Sequence, residues 1–141
     1  LKIAPEHMVD SVLERMGKPG RKALEAFIRR FEHLKRETGR NLFLTYYFMA
    51  AHPGCTQADM EALRAFAESR LGILPEQTQI FTPTPATWST LMYHTGQDPF
   101  TGERLFVEKN PAARERKKAA LTPAVRARPT RRRRQRRPGL R

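Results

Sequence analysis

Ten successive residues without a charge, Leu42 to Ala51, constrain this chain more than any other stretch. They read Leu-Phe-Leu-Thr-Tyr-Tyr-Phe-Met-Ala-Ala, with little polar alternation. That is the pattern of a parallel strand covered on both faces. His52-Pro53-Gly54 breaks the run, and Thr56 follows as a helix N-cap with Asp59 as its capping-box partner. Open α/β sheets place their ligands at such strand–turn–helix joints, beyond the carboxyl ends of the strands.

Two further segments repeat the arrangement. Leu1-Lys2-Ile3-Ala4-Pro5 reads as the end of a strand, and Gln77-Thr78-Gln79-Ile80-Phe81 as a short one stopped by Pro83-Thr84-Pro85. Between the first two strands lie two helices. Met8, Val9, Val12, Leu13 and Met16 share one face of the first, which closes at Gly17-Lys18-Pro19-Gly20. The second carries Leu24, Phe27, Ile28, Phe31 and Leu34 at helical spacing and ends at Gly39. Glu25–Arg29 and Glu32–Arg36 are its expected i,i+4 pairs.

A helix from about Cys55 to Leu71 buries Met60, Leu63, Phe66 and Ala67. Trp88 to Tyr93 reads as a helical turn, and Leu105-Phe106-Val107 as a last strand or an apolar anchor. The order β-α-α-β-α-β implies parallel pairing through right-handed crossovers. Three parallel strands with helices on one face leave the central strand half covered. The economical fold class is therefore α/β, one half of a (β/α) barrel whose other half lies elsewhere. A domain starting mid-element, at Leu1 rather than Met, suggests a piece of something longer.

The net charge of +13 is a property of one end. Residues 111–141 hold 13 of the 27 basic residues and one acid, Glu115, leaving 14 basic against 13 acidic residues in positions 1–110. A domain of residues 1–107 is thus expected, followed by a basic, disordered tail over 108–141. Cys55 is the single cysteine, which excludes an internal disulfide and any CxxC-type zinc site. No secretory signal and no long apolar run stand out, so a cytoplasmic protein with no membrane association is expected.

Five short blocks occur in order: Leu1-Lys2-Ile3-Ala4-Pro5-Glu6-His7, Met16-Gly17-Lys18-Pro19-Gly20, Phe48-Met49-Ala50-Ala51-His52-Pro53-Gly54-Cys55-Thr56, Phe81-Thr82-Pro83-Thr84-Pro85 and Met92-Tyr93-His94-Thr95-Gly96. Together they resemble the carboxyl-terminal half of the radical S-adenosylmethionine (SAM) barrel of YgiQ-like proteins, from Leu1 to about Leu121. The resemblance implies a partial TIM-like barrel. It also implies a [4Fe-4S] cluster, held by a CxxxCxxC loop, that cleaves SAM reductively to a 5′-deoxyadenosyl radical on an unknown substrate. The loop is absent, as expected if it belongs to a missing amino-terminal half, and this piece alone should not cleave SAM.

In that register Glu6, His7, His52, Pro53 and Gly54 line part of the SAM pocket and perform no acid–base catalysis. The plainer reading of Glu6-His7 is a solvated loop pair, and of His52-Pro53-Gly54 a simple strand-to-helix turn. Cys55 near a helix N-terminus suits a reactive thiol, although a small buried residue is the commoner case. Metal ligation by His7, His52, His94 and Cys55 fits no ligand spacing, and His33 reads as a surface residue. Tyr46, Tyr47 and Trp88 read as core or core-edge aromatics.

The competing reading is a non-catalytic module that binds RNA or DNA through residues 126–141. Arg131, Arg132, Arg133, Arg134, Arg136 and Arg137 would contact phosphates there, weakly and with a steep salt dependence. Beyond Leu121 the chain is rich in Arg and Pro and has no Lys, a composition that also matches out-of-frame translation of GC-rich DNA.

Overall fold

The computed structural model describes residues 1–72 and 77–122. The expected element order is present and extended. Strand β1 (Lys2–Glu6) leads to α1 (Asp10–Arg15) and α2 (Arg21–Thr38), and β2 (Thr45–Ala50) to α3 (Gln57–Phe66) with a π-helical last turn, Ala67–Leu71. Strand β3 (Gln77–Ile80), α4 (Trp88–Thr95) and α5 (Pro111–Ala119) complete it. The sheet is parallel, in the order β1-β2-β3, and open. A closed or partial barrel is not formed by these residues alone.

Strand β2 is narrower than its apolar run. Leu42 and Phe43 stay outside it at 40% and 61% exposure. Along the strand Tyr46, Phe48 and Ala50 are buried, whereas Tyr47 and Met49 are only half covered. The strand is thus covered on one face, as helices on a single face imply. The buried face packs against Val12, Met60, Leu63, Phe66 and Leu121, which form the core. The other face carries polar neighbours: the Tyr47 hydroxyl donates to Gln79 Oε1 at 2.9 Å, and Lys2 Nζ lies 5.8 Å from the Tyr47 ring.

Helix α2 buries none of its residues fully. Leu24, Ile28 and Phe31 reach the core edge, while Phe27 and Leu34 are 43% and 40% exposed. Beside it, Ile3, Pro5, Leu13, Leu24 and Phe27 line a cavity of about 310 Å³. The expected Glu25–Arg29 and Glu32–Arg36 pairs give way to Arg21–Glu25 at 2.8 Å and Glu32–Lys35 at 4.0 Å, because each acid meets a nearer cation. His33 is on the surface, 3.2 Å from Glu37. Trp88, expected at the core edge, is 59% exposed and stacks on Phe100 instead.

The carboxyl-terminal boundary also moves. Residues 111–119, assigned to a disordered tail, form α5, with Pro111 in its first turn and the Asn110 side chain accepting from Ala113 N as N-cap. Leu121, just past the end of the helix, is fully buried, and Lys117 is 3% exposed. Leu105–Val107 forms no strand; the chain there is tied by Leu105 N to Gly96 O at 2.9 Å. Among the described residues no helix is long and apolar enough to cross a membrane.

Candidate functional site

Among the described residues three non-glycine positions have a positive φ: Glu6 at 63°, Ala51 at 58° and Ala86 at 60°. Glu6 ends β1, Ala51 follows β2, and Ala86 lies in the loop after β3. Each position costs roughly 1–2 kcal/mol against the right-handed region. Such strain persists where surrounding structure imposes it, and it gathers at functional sites. At β1 the cause is local. The register slips between Ile3 and Glu6, where Pro5 cannot donate to the ladder, and the bulge turns Glu6 out of the pleat.

The strand ends open on one cleft of about 340 Å³, lined by Glu6, Met49, His52, Gln79, Thr84 and Ser89, among others. Glu6 is paired with Lys18 Nζ at 3.0 Å. His52 is 2% exposed and held at both nitrogens. Its Nδ1 lies 2.8 Å from Pro53 O, an acceptor only, so Nδ1 carries the proton. Its Nε2 therefore accepts from the Ser89 hydroxyl at 2.8 Å. Phe81 meets the ring edge-on at 5.2 Å. Burial lowers the His52 pKa to about 4, against the opposing pull of the Pro53 hydrogen bond and Glu6. His52 is thus a neutral, oriented imidazole, suited to hold a ligand rather than to take protons near neutrality.

His7 is fully buried and has the opposite tautomer. Its Nδ1 accepts from Val9 N at 3.1 Å, which leaves the proton on Nε2, 3.6 Å from Cys55 Sγ. Desolvation lowers His7 to about 4 and pushes Cys55 up to about 12. The pair is a neutral imidazole beside a neutral thiol. Of the two readings of Cys55, the small buried residue is the one found: it is 1% exposed, and burial outweighs the neighbouring helix N-terminus.

Of the sequence-derived site residues, the cleft brings together Glu6 and His52. His7 instead lines the cavity beside α2. Pro53 and Gly54 form the turn and do not line the cleft. Gly54 has φ +81°, a conformation that favours glycine, whereas a Cβ there would meet only the movable end of the Arg15 side chain. His94 is exposed, apart from the other histidines. Among the described residues no group of three or more His, Cys, Asp or Glu could hold a metal ion. Arg131, Arg132, Arg133, Arg134, Arg136 and Arg137 lie outside the described residues.

Sequence reasoning missed Met49, Gln79 and Ser89 as lining residues, and Lys117 as a support. Gln79 was legible as a strand residue and Thr84 as part of a quoted block. Ser89 meets His52 across 37 positions, a separation with no local signature.

Residues 76–135 match a family model described as a domain of unknown function, DUF3362. The chain is 50% identical over 122 residues to a UPF0313 protein of Fusobacterium nucleatum, covering 86% of this chain and 22% of that protein. A UPF0313 protein of Geobacter sulfurreducens is 45% identical over 121 residues, 86% of this chain and 20% of the relative. One from Methanosarcina mazei is 42% identical over 125 residues, 89% and 19% respectively. Over most of its length, then, the chain is similar to UPF0313 proteins. It spans about a fifth of the length of these curated relatives.

Proposed function

We propose that this chain supplies one wall of the SAM pocket of a radical SAM iron–sulfur protein of the YgiQ-like kind, with the remaining barrel strands and the cluster loop on polypeptide outside it. The observation that carries the reading is the cleft at the carboxyl ends of three parallel strands, where Glu6 at the end of β1, Ala51 just past β2 and Ala86 in the loop after β3 have a positive φ. Ligands bind at that end of parallel sheets. The half-covered face with Tyr47, Met49 and Gln79 would then be the barrel interior.

The residues of this chain do not fit a [4Fe-4S] cluster. Its one thiol is buried, with its pKa pushed up to about 12, and no ligand set accompanies it among the described residues. The cluster would be held elsewhere. The cleft does fit SAM, having a carboxylate, a neutral imidazole, hydroxyls and two methionines among its lining groups. Bound to a reduced cluster, SAM supplies a 5′-deoxyadenosyl radical. Glu6 would accept hydrogen bonds from ribose hydroxyls, held in place by Lys18. His52, fixed by Pro53 and Ser89, would present a ring face beside Phe81, and the apolar rim of Met16 and Met49 would keep water out.

Equilibrium dialysis of radiolabelled SAM against the longer protein, reconstituted anaerobically with iron and sulfide, tests this. Glu6→Ala and His52→Ala should each weaken binding about tenfold, the value of one charge-assisted or well-oriented hydrogen bond. Unchanged affinity in both variants would remove these strand ends from the pocket.

A further inference from the structure

We propose that Lys117 is a positioning residue, which ties α5 to the carbonyl of Cys55 and so fixes the His52–Cys55 turn at the rim of the cleft. Lys117 Nζ donates to Cys55 O at 2.9 Å, with Glu108 Oε2 at 3.9 Å and the Phe106 ring centroid at 4.5 Å. The residue is 3% exposed. A buried ammonium is costly, whereas an apolar side chain of the same length would fill the space without that cost. What only the lysine provides is the donor.

Two further bonds from the same segment reach the same place. Gly54 N donates to Phe106 O at 2.8 Å, and Arg114 Nη2 donates to Phe81 O, the first residue past β3. Leu121, fully buried in the core, anchors the end of the helix. All three contacts fall at the carboxyl ends of β2 and β3, where backbone carbonyls and amides would otherwise be unpaired. The stretch matching DUF3362 includes Arg114 and Lys117, so the structure gives that segment a role as a latch on the site. Only the consequence for ligand affinity rests on the SAM reading.

The test compares Lys117→Met, which keeps the stem and removes the donor, with Lys117→Arg, which restores a donor. Hydrogen exchange in the full chain should speed up roughly tenfold at the Gly54 and Cys55 amides in Lys117→Met, the effect of about one hydrogen bond, with Phe48 and Ala50 unchanged. Lys117→Arg should recover part of the protection. The His52 imidazole, followed by NMR, should titrate closer to 6.5 than to about 4 in Lys117→Met as the turn opens to water. Equal acceleration throughout the sheet, or no change at the turn, would overturn the proposal. Should Lys117→Met fail to fold, the unsubstituted chain decides. A slowly exchanging Lys117 ammonium resonance supports the latch, and its absence refutes it. Loss of SAM binding by dialysis bears on the ligand alone: if turn protection responds as expected while SAM never binds, the latch stands and the SAM reading falls.

Discussion

His7 and His52 differ in partners and agree in charge. Each ring has a partner at both nitrogens, and burial keeps both neutral, with folded-state pKa values of about 4 against the ordinary 6.5. The folded state therefore binds fewer protons than the unfolded one, and stability rises with pH. The contribution is complete above pH 6.5 and is lost as the pH falls to about 4, at about 3 kcal/mol per ring from 1.36 kcal/mol per pKa unit. Urea denaturation midpoints measured between pH 7 and pH 4 should fall steeply in this window, and a His7→Gln variant should show a shallower slope. A midpoint independent of pH would mean that the rings are solvated.

Helix α3 shows how local chemistry sets an element. Thr56 Oγ1 accepts from Asp59 N, and Asp59 Oδ2 accepts from Thr56 N at 2.8 Å, closing the capping box. Thr56→Ala should lower the stability by about 1 kcal/mol. The urea midpoint would shift with an unchanged slope, and no shift would deny the cap its role. This box was legible in the sequence because its partners are three residues apart. The same holds for the glycine ends of α2 and α3's π-helical turn, where Gly39 and Gly72 take φ of 62° and 68°. Helix α5 was not legible. Its sequence is dominated by charge, and what holds it is long-range: Lys117 to Cys55 and Leu121 in a core built from other elements. Strand β2 and its one-sided cover were legible, because the sequence supplies too few helices for both faces; which residues stay uncovered was not. Periodicity marks Phe48 and Ala50 as buried, yet cannot tell whether Tyr47 and Met49 have anything above them.

At the scale of the molecule, the described residues form a sheet with one covered face and a free edge at β1. The exposed stripe of α2, the cavity beneath it and the half-covered face of β2 are all surfaces that a continuing barrel would occupy. Glu6 at the end of β1, His52 just past β2 and Ser89 in α4 line the same cleft. Glu6 and His52 were named from the sequence through the family resemblance, not through spacing; the positive φ at Glu6, Ala51 and Ala86 appears only in the backbone.

The most direct measurement is ultraviolet cross-linking of radiolabelled SAM to the longer, reconstituted protein, followed by peptide mapping. Label in the peptides containing Glu6, Met49–His52 or Phe81–Ser89 is the predicted result. Specific label confined to other peptides would contradict the assignment of this chain to the SAM pocket.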